Sequence, residues 1–171
     1  VVPAVHGTAN KRGETRMMEV SLYIDVSSKR IKPGKACYCY VLEYVSPADI
    51  TYTRSEMGCM EASGNRLVLA AAVRALKRLK TGCRVTIYTD LRYLKNALTL
   101  GWLQEWKSAG WTRKDGKAVK NRDLWEEIER QTVRLGLQVE YICKSPYTAW
   151  MQCEMKKADL KLGEYKELKA Q

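Results

Sequence analysis

The sequence predicts an α/β domain built on a five-stranded mixed sheet, strands 1–3 antiparallel and strands 4–5 parallel to strand 1, flanked by helices. Three observations carry this. Apolar residues alternate strictly from Glu19 to Val26, and two more strand-like runs follow before residue 58. The period then switches from two to the helical 3.6. Alternation returns at Arg84–Thr89 and Leu137–Cys143, each time after a helical segment. A strand, a crossover helix and a strand favour parallel pairing.

Each element has its own local signal. Val20, Leu22 and Ile24 form the apolar face of strand 1. Pro33-Gly34 marks a turn, and Lys35–Val45 reads as strand 2, with Cys37, Cys39 and Val41 opposite Tyr38, Tyr40 and Leu42. After Pro47-Ala48-Asp49, residues Ile50–Met57 close an antiparallel meander as strand 3. Leu69, Ala72, Val73, Leu76 and Leu79 make a helical stripe, with Ser63 as its cap and Gly82 as its stop. Arg84–Thr89 is strand 4, and a short helix runs from Leu91 to Leu100. Asp123 with Glu126 has the spacing of a capping box for a helix carrying Leu124, Trp125 and Ile128 and stopping near Gly136. Ser145-Pro146 opens the last helix, with Met151, Met155, Ala158 and Leu162 on one stripe. Residues 1–18 lack periodicity and read as an extension outside the core. Residues 19–162 form the domain, and 163–171 a tail.

The 171 residues suffice to bury a full core. No apolar run approaches the roughly 20 residues of a membrane span, and no secretory leader is evident, so a cytoplasmic location is expected. The net charge of +11 points to a polyanionic partner, above all nucleic acid. The six cysteines form no C-x-x-C pair and the only histidine is His6, which argues against zinc and against histidine-based nucleophilic catalysis. Buried, reduced thiols are the expectation.

Asp25 ends strand 1 and Asp90 follows strand 4, so parallel neighbours would bring both to one end of the sheet, where open α/β sheets place their sites. Between them stands Asn65-Arg66-Leu67-Val68 at the start of a helix. This order of strands, helices and aspartates over residues 19–162 resembles the RNase H family, whose motif at that helix reads Asn-Arg-apolar-Glu.

The resemblance implies a nuclease site of four acids holding two Mg²⁺ (or Mn²⁺) ions. Two-metal hydrolysis uses one ion to activate water and another to steady the leaving oxygen. By position Asp25 and Asp90 match the first and third acids, and Glu154 the fourth. Val68 stands at the second, so weak metal binding and lost or strongly reduced catalysis are expected. Glu61, in the loop before the helix, is a remote substitute. Further departures from the family pattern are Val26 for a glycine, Leu91 for a serine, and Lys144–Ala149 for a histidine-bearing loop.

Residues 102–122 set six Lys and Arg against Glu105 and Asp115, interleaved with Trp102, Trp106 and Trp111. Cations neutralise phosphates while indoles pack on sugars or bases. The segment resembles the basic protrusion of bacterial-type members, which implies that Trp102, Trp106, Lys107, Lys120 and Asn121 contact nucleic acid. Trp125 reads as a core anchor, and Trp111 as either. Ser63 matches a hydroxyl that holds a DNA-strand phosphate with Asn121. Asn65 matches one of two amides that read the RNA strand; the other is Gly64 here. The implied function is binding of RNA/DNA hybrid or duplex RNA. The alternatives are an active Mg²⁺-dependent hybrid endoribonuclease and a protein-interaction module that keeps only the fold.

Overall fold

A computed structural model describes residues 17–80 and 82–169, with side chains through residue 161. In chain order the elements are β1 (Met18–Val26), β2 (Gly34–Val45), β3 (Thr51–Ala62), α1 (Gly64–Lys77), β4 (Cys83–Thr89), α2 (Arg92–Thr99), α3 (Trp102–Ser108), α4 (Arg122–Arg134), β5 (Gly136–Tyr141) and α5 (Thr148–Lys169). The sheet order is β3-β2-β1-β4-β5. β1, β2 and β3 pair antiparallel, while β4 lies parallel to β1 and β5 parallel to β4. This is the mixed sheet expected from the alternation pattern. Residues 1–16 of the expected extension, His6 among them, lie outside the described residues, as does the side chain of Leu162; Met18, expected in the extension, opens β1.

Alternation decides which side chain meets which layer. One face of β1 and β2 presents Val20, Leu22, Ile24, Tyr38, Tyr40 and Leu42 to α1, whose Leu67, Val68, Ala71, Ala72, Ala75 and Leu76 are buried with them. The opposite face presents Cys37, Cys39 and Val41 to Met151 and Met155 of α5. Fully burying each Val, Leu, Ile or Met among them stabilises the fold by about 1.5–3 kcal/mol before the cost of ordering the chain.

Several local expectations are corrected. β3 runs five residues past Met57, because its partner β2 offers an unbroken ladder down to Gly34↔Ala62. Ser63 does cap α1, accepting from the Arg66 N–H at 3.3 Å, but α1 ends at Lys77, ahead of Gly82. Asp123 does not cap α4. Asn121 holds the cap position, in the left-handed conformation (φ 59°), while Asp123 pairs with Arg66 and Glu126 with Arg122. The thiols are not all reduced. Cys37 and Cys59 face each other in the β2–β3 register and are joined by a disulfide. Cys39 and Cys83 are the buried free cysteines.

Candidate active site and nucleic-acid interface

Along the β1–β4 ladder, paired positions differ by 65 residues, from Met18↔Cys83 to Tyr23↔Tyr88. The same offset takes Asp25 to Asp90. Both aspartates therefore stand at the carboxyl ends of adjacent parallel strands, and they line one cleft with Ile24, Tyr88, Thr89, Ile142 and Thr148. This is the juxtaposition expected if strands 1 and 4 are parallel neighbours, and they are.

The two carboxylates already have partners from within the chain. Asp25 is buried; its Oδ1 accepts from the Val26 N–H at 2.9 Å and its Oδ2 from the Gln152 side-chain amide at 2.8 Å. That amide also reaches the Val26 carbonyl at 3.2 Å, which ties α5 to the end of β1. Asp90 forms an ion pair with Lys29 from the β1–β2 loop. The hydrogen bond to Asp90 holds the Lys29 ammonium above its ordinary value; burial opposes it, and the charges of Asp90 and Asp25 add to the rise.

The third sequence-predicted acid does not join them. Glu154 is absent from the cleft lining and pairs with Lys157 at 2.7 Å. It lies close enough to Cys39 that its charge, after burial and ahead of Asp25, helps push that thiol up to about 11. Val68 is 2 % exposed and belongs to the α1 core. Glu61 is exposed on β3. Among the described residues, no three His, Cys, Asp or Glu side chains converge as a metal would need. Two divalent ions require several hard oxygen ligands held close together. The donor set here is two carboxylates, with protein donors already on both, and does not fit a two-metal centre.

The RNase H family profile matches residues 17–144. The chain belongs to the RNase H family. It is 53 % identical over 66 residues to ribonuclease H of Thermus thermophilus, covering 39 % of this chain and 40 % of that protein. It is 41 % identical over 102 residues to ribonuclease HI of Vibrio parahaemolyticus, covering 60 % and 63 %, and 35 % identical over 116 residues to ribonuclease H of Marinobacter nauticus, covering 68 % and 75 %. The matched stretches thus span from two fifths to three quarters of these relatives. Among solved structures, LC9-RNase H1, described as a type 1 RNase H with the type 2 active-site motif, superposes with a TM-score of 0.65 at 22 % identity, covering 83 % of this chain and 70 % of that one. A foamy viral protease-reverse transcriptase in complex with RNA/DNA hybrid superposes with a TM-score of 0.60 at 13 % identity, covering 89 % and 21 %. At such identities the superpositions establish the RNase H fold alone.

The RNase H residues expected to hold nucleic acid divide into two groups. At the start of α1, Ser63 is buried with its hydroxyl committed to the helix cap, and Asn65 is exposed. Arg66 joins this helix end to α4, donating to Asp123 at 2.7 and 3.0 Å and to Asn121 Oδ1 at 3.3 Å. The Arg66 hydrogen bond is the main cause holding the Asp123 carboxyl below its ordinary value.

The basic segment is anchored by its aromatics. Trp102 and Trp106 are half-buried, with ring centres 6.1 Å apart; Trp106 lies 5.3 Å from Trp125, and Tyr93 joins all three. Trp111 and Val119 are buried and bring the segment back through the Thr112↔Ala118 bridge. Lys107 is tied to Glu129 at 2.6 Å. Exposed and outside any ion pair among the described residues are Lys114 and Lys117, on the turn that the Thr112↔Ala118 bridge closes, and Lys120, between that bridge and α4.

Sequence reasoning missed Lys29, Gln152 and Arg66. Lys29 lies four residues past Asp25, and Gln152 one position before Cys153-Glu154. Their contacts span 61 and 127 positions, so no local spacing announces them.

Proposed function

We propose that this domain binds RNA/DNA hybrid through the Lys114–Lys120 turn and the α1 end around Ser63, Asn65 and Asn121, and cleaves it weakly or not at all. Family membership supports nucleic acid as the partner, as does the net charge of +11. The observation that carries the loss of cleavage is the commitment of Asp25 to Gln152 and of Asp90 to Lys29, with apolar Val68 at the position of the family's helix glutamate. Divalent metal, Mg²⁺ or Mn²⁺, would find Asp25 and Asp90 as its only carboxylate ligands in the cleft among the described residues, with Glu154 turned to Lys157. A cytoplasmic setting belongs to the same proposal; no described helix is long and apolar enough to cross a membrane.

Active hybrid cleavage is the second reading, favoured by 53 % identity to a ribonuclease H over 66 residues. A labelled RNA/DNA hybrid, incubated with the protein in Mg²⁺ and in Mn²⁺ and compared with Asp25→Asn, separates the two. Salt-sensitive binding with cleavage absent, or only slightly faster than that variant, is the expected result. Rapid cleavage abolished by Asp25→Asn would overturn it. Binding that ignores salt would point away from phosphate contacts altogether.

A further inference from the structure

The β1–β2 loop is fastened to the site at three points. At its start, Ser27 N–H donates to the Cys37 carbonyl at 2.8 Å and Ser27 Oγ accepts from Cys37 N–H at 2.8 Å. In its middle, the Arg30 carbonyl accepts from the Gly64 N–H at 2.8 Å. The third point is a packing contact. A Cβ at Gly64 would stand 2.7 Å from Lys29 Cα, 2.9 Å from Lys29 C and 3.0 Å from the Ser28 carbonyl oxygen, all backbone atoms that give way only if the loop itself shifts. Gly64 has no need here of a positive φ; what it supplies is room. Lys29 is thus held by its backbone while its side chain crosses to Asp90.

We propose that Lys29 is a built-in counter-cation of this site, seated by the Gly64 contact, and that its ammonium occupies the place from which a divalent ion would bind Asp90. The inference rests on the reading of the cleft as poor in metal, and adds the residue responsible. Two aspartates at adjacent strand ends repel each other, and a cation between them lowers that repulsion whether it is a metal or an ammonium. With Lys29 in place an incoming ion meets one net negative charge where it would otherwise meet two. It must also displace a bonded ammonium whose backbone cannot retreat. Lys29 is 66 % exposed, so the pair contributes little to fold stability and its removal leaves the domain folded.

The test uses the free protein, without nucleic acid, at constant ionic strength. Melting temperature is followed against Mg²⁺ and Mn²⁺ concentration for wild type, Lys29→Ala, Lys29→Arg and Lys29→Ala/Asp90→Asn. A ligand that binds the native state raises the midpoint in a saturable way. Lys29→Ala is expected to bind the ion at least about tenfold more tightly than wild type, the order expected when one opposing charge leaves a partly screened site. Lys29→Arg should keep the wild-type response, and Asp90→Asn should abolish the gain. Gly64→Ala, which forces the loop away, should move in the direction of Lys29→Ala; its circular dichroism confirms that it is folded. Equal metal responses in wild type and Lys29→Ala, whether both bind or neither does, would overturn the proposal. Rapid hybrid cleavage by wild type would overturn the functional reading and leave this result untouched.

Discussion

The Gln152 amide of α5 donates to Asp25 Oδ2 at the end of β1, and reaches the neighbouring Val26 carbonyl with the same nitrogen. Here a neutral amide makes the connection and satisfies a buried carboxylate at the same time. Gln152→Ala leaves Asp25 short of a donor and should cost about 1–3 kcal/mol. Urea unfolding measures it; an unchanged midpoint would mean that water replaces the amide without loss. Gln152→Glu should destabilise the metal-free protein more strongly near neutral pH than at low pH, since two carboxylates then face each other.

Val68→Glu probes the departure from the family's helix motif. Val68 is packed among the apolar residues of α1, so an ionised carboxylate there should cost about 3–5 kcal/mol in the absence of metal. If the new carboxylate reaches the Asp25 and Asp90 cleft, Mg²⁺ should recover about 1.4 kcal/mol per tenfold excess of ion over its Kd. Hybrid cleavage should then rise above wild type. Melting curves with and without Mg²⁺, paired with a cleavage assay, check both halves. A variant with no metal response would mean that residue 68 points only into the core.

The basic segment should separate into stability and binding. Trp106→Ala removes a half-buried indole from the cluster with Tyr93, Trp102 and Trp125, and should cost about 2–3 kcal/mol, less than a fully buried tryptophan. Replacing Lys114, Lys117 and Lys120 together with glutamine should leave the melting temperature nearly unchanged. Hybrid affinity should fall similarly across sequences, and the log–log salt slope should flatten by roughly two to three. Fluorescence anisotropy over a salt series reads both. Wild-type affinity in the triple variant would remove the turn from the interface.

Alkaline pH should expose the Tyr40 network. Tyr40 is fully buried; its hydroxyl donates to Glu56 at 3.0 Å and accepts from Arg78 Nε at 2.7 Å. Burial pushes the phenol up from 10.0 to about 12, with Glu56 adding to the rise and Arg78 opposing it. The folded chain therefore holds this proton more tightly than the unfolded chain. Its contribution is complete below the ordinary phenol value and is lost as pH climbs toward the folded one. Tyr40→Phe should make the alkaline fall in stability shallower, as measured by urea unfolding between about pH 9 and 11.5, a range bracketing the phenol's ordinary value. An identical alkaline limb in the variant would shift the effect to Tyr147, which burial and Glu43 also push up to about 12.

The sequence by itself determined the periodic elements and set Asp25 and Asp90 at the ends of two strands. Alternation assigns faces and a strand–helix–strand order favours parallel pairing, while the fold decided that β4 lies beside β1. Counting the helix register from Asn65 also set Val68 at the position where the resemblance implies a glutamate. Local signals failed where two equally plausible roles depended on distant partners. Asp123 has the spacing of a cap, but Arg66 claims it across 57 positions and leaves Asn121 to end the loop. Cys37 and Cys59 look like separate buried thiols until the β2–β3 register sets them opposite each other. Only the tertiary structure decided what the two aspartates hold, since Lys29 and Gln152 reach them from a loop and a helix that the folded backbone alone brings together.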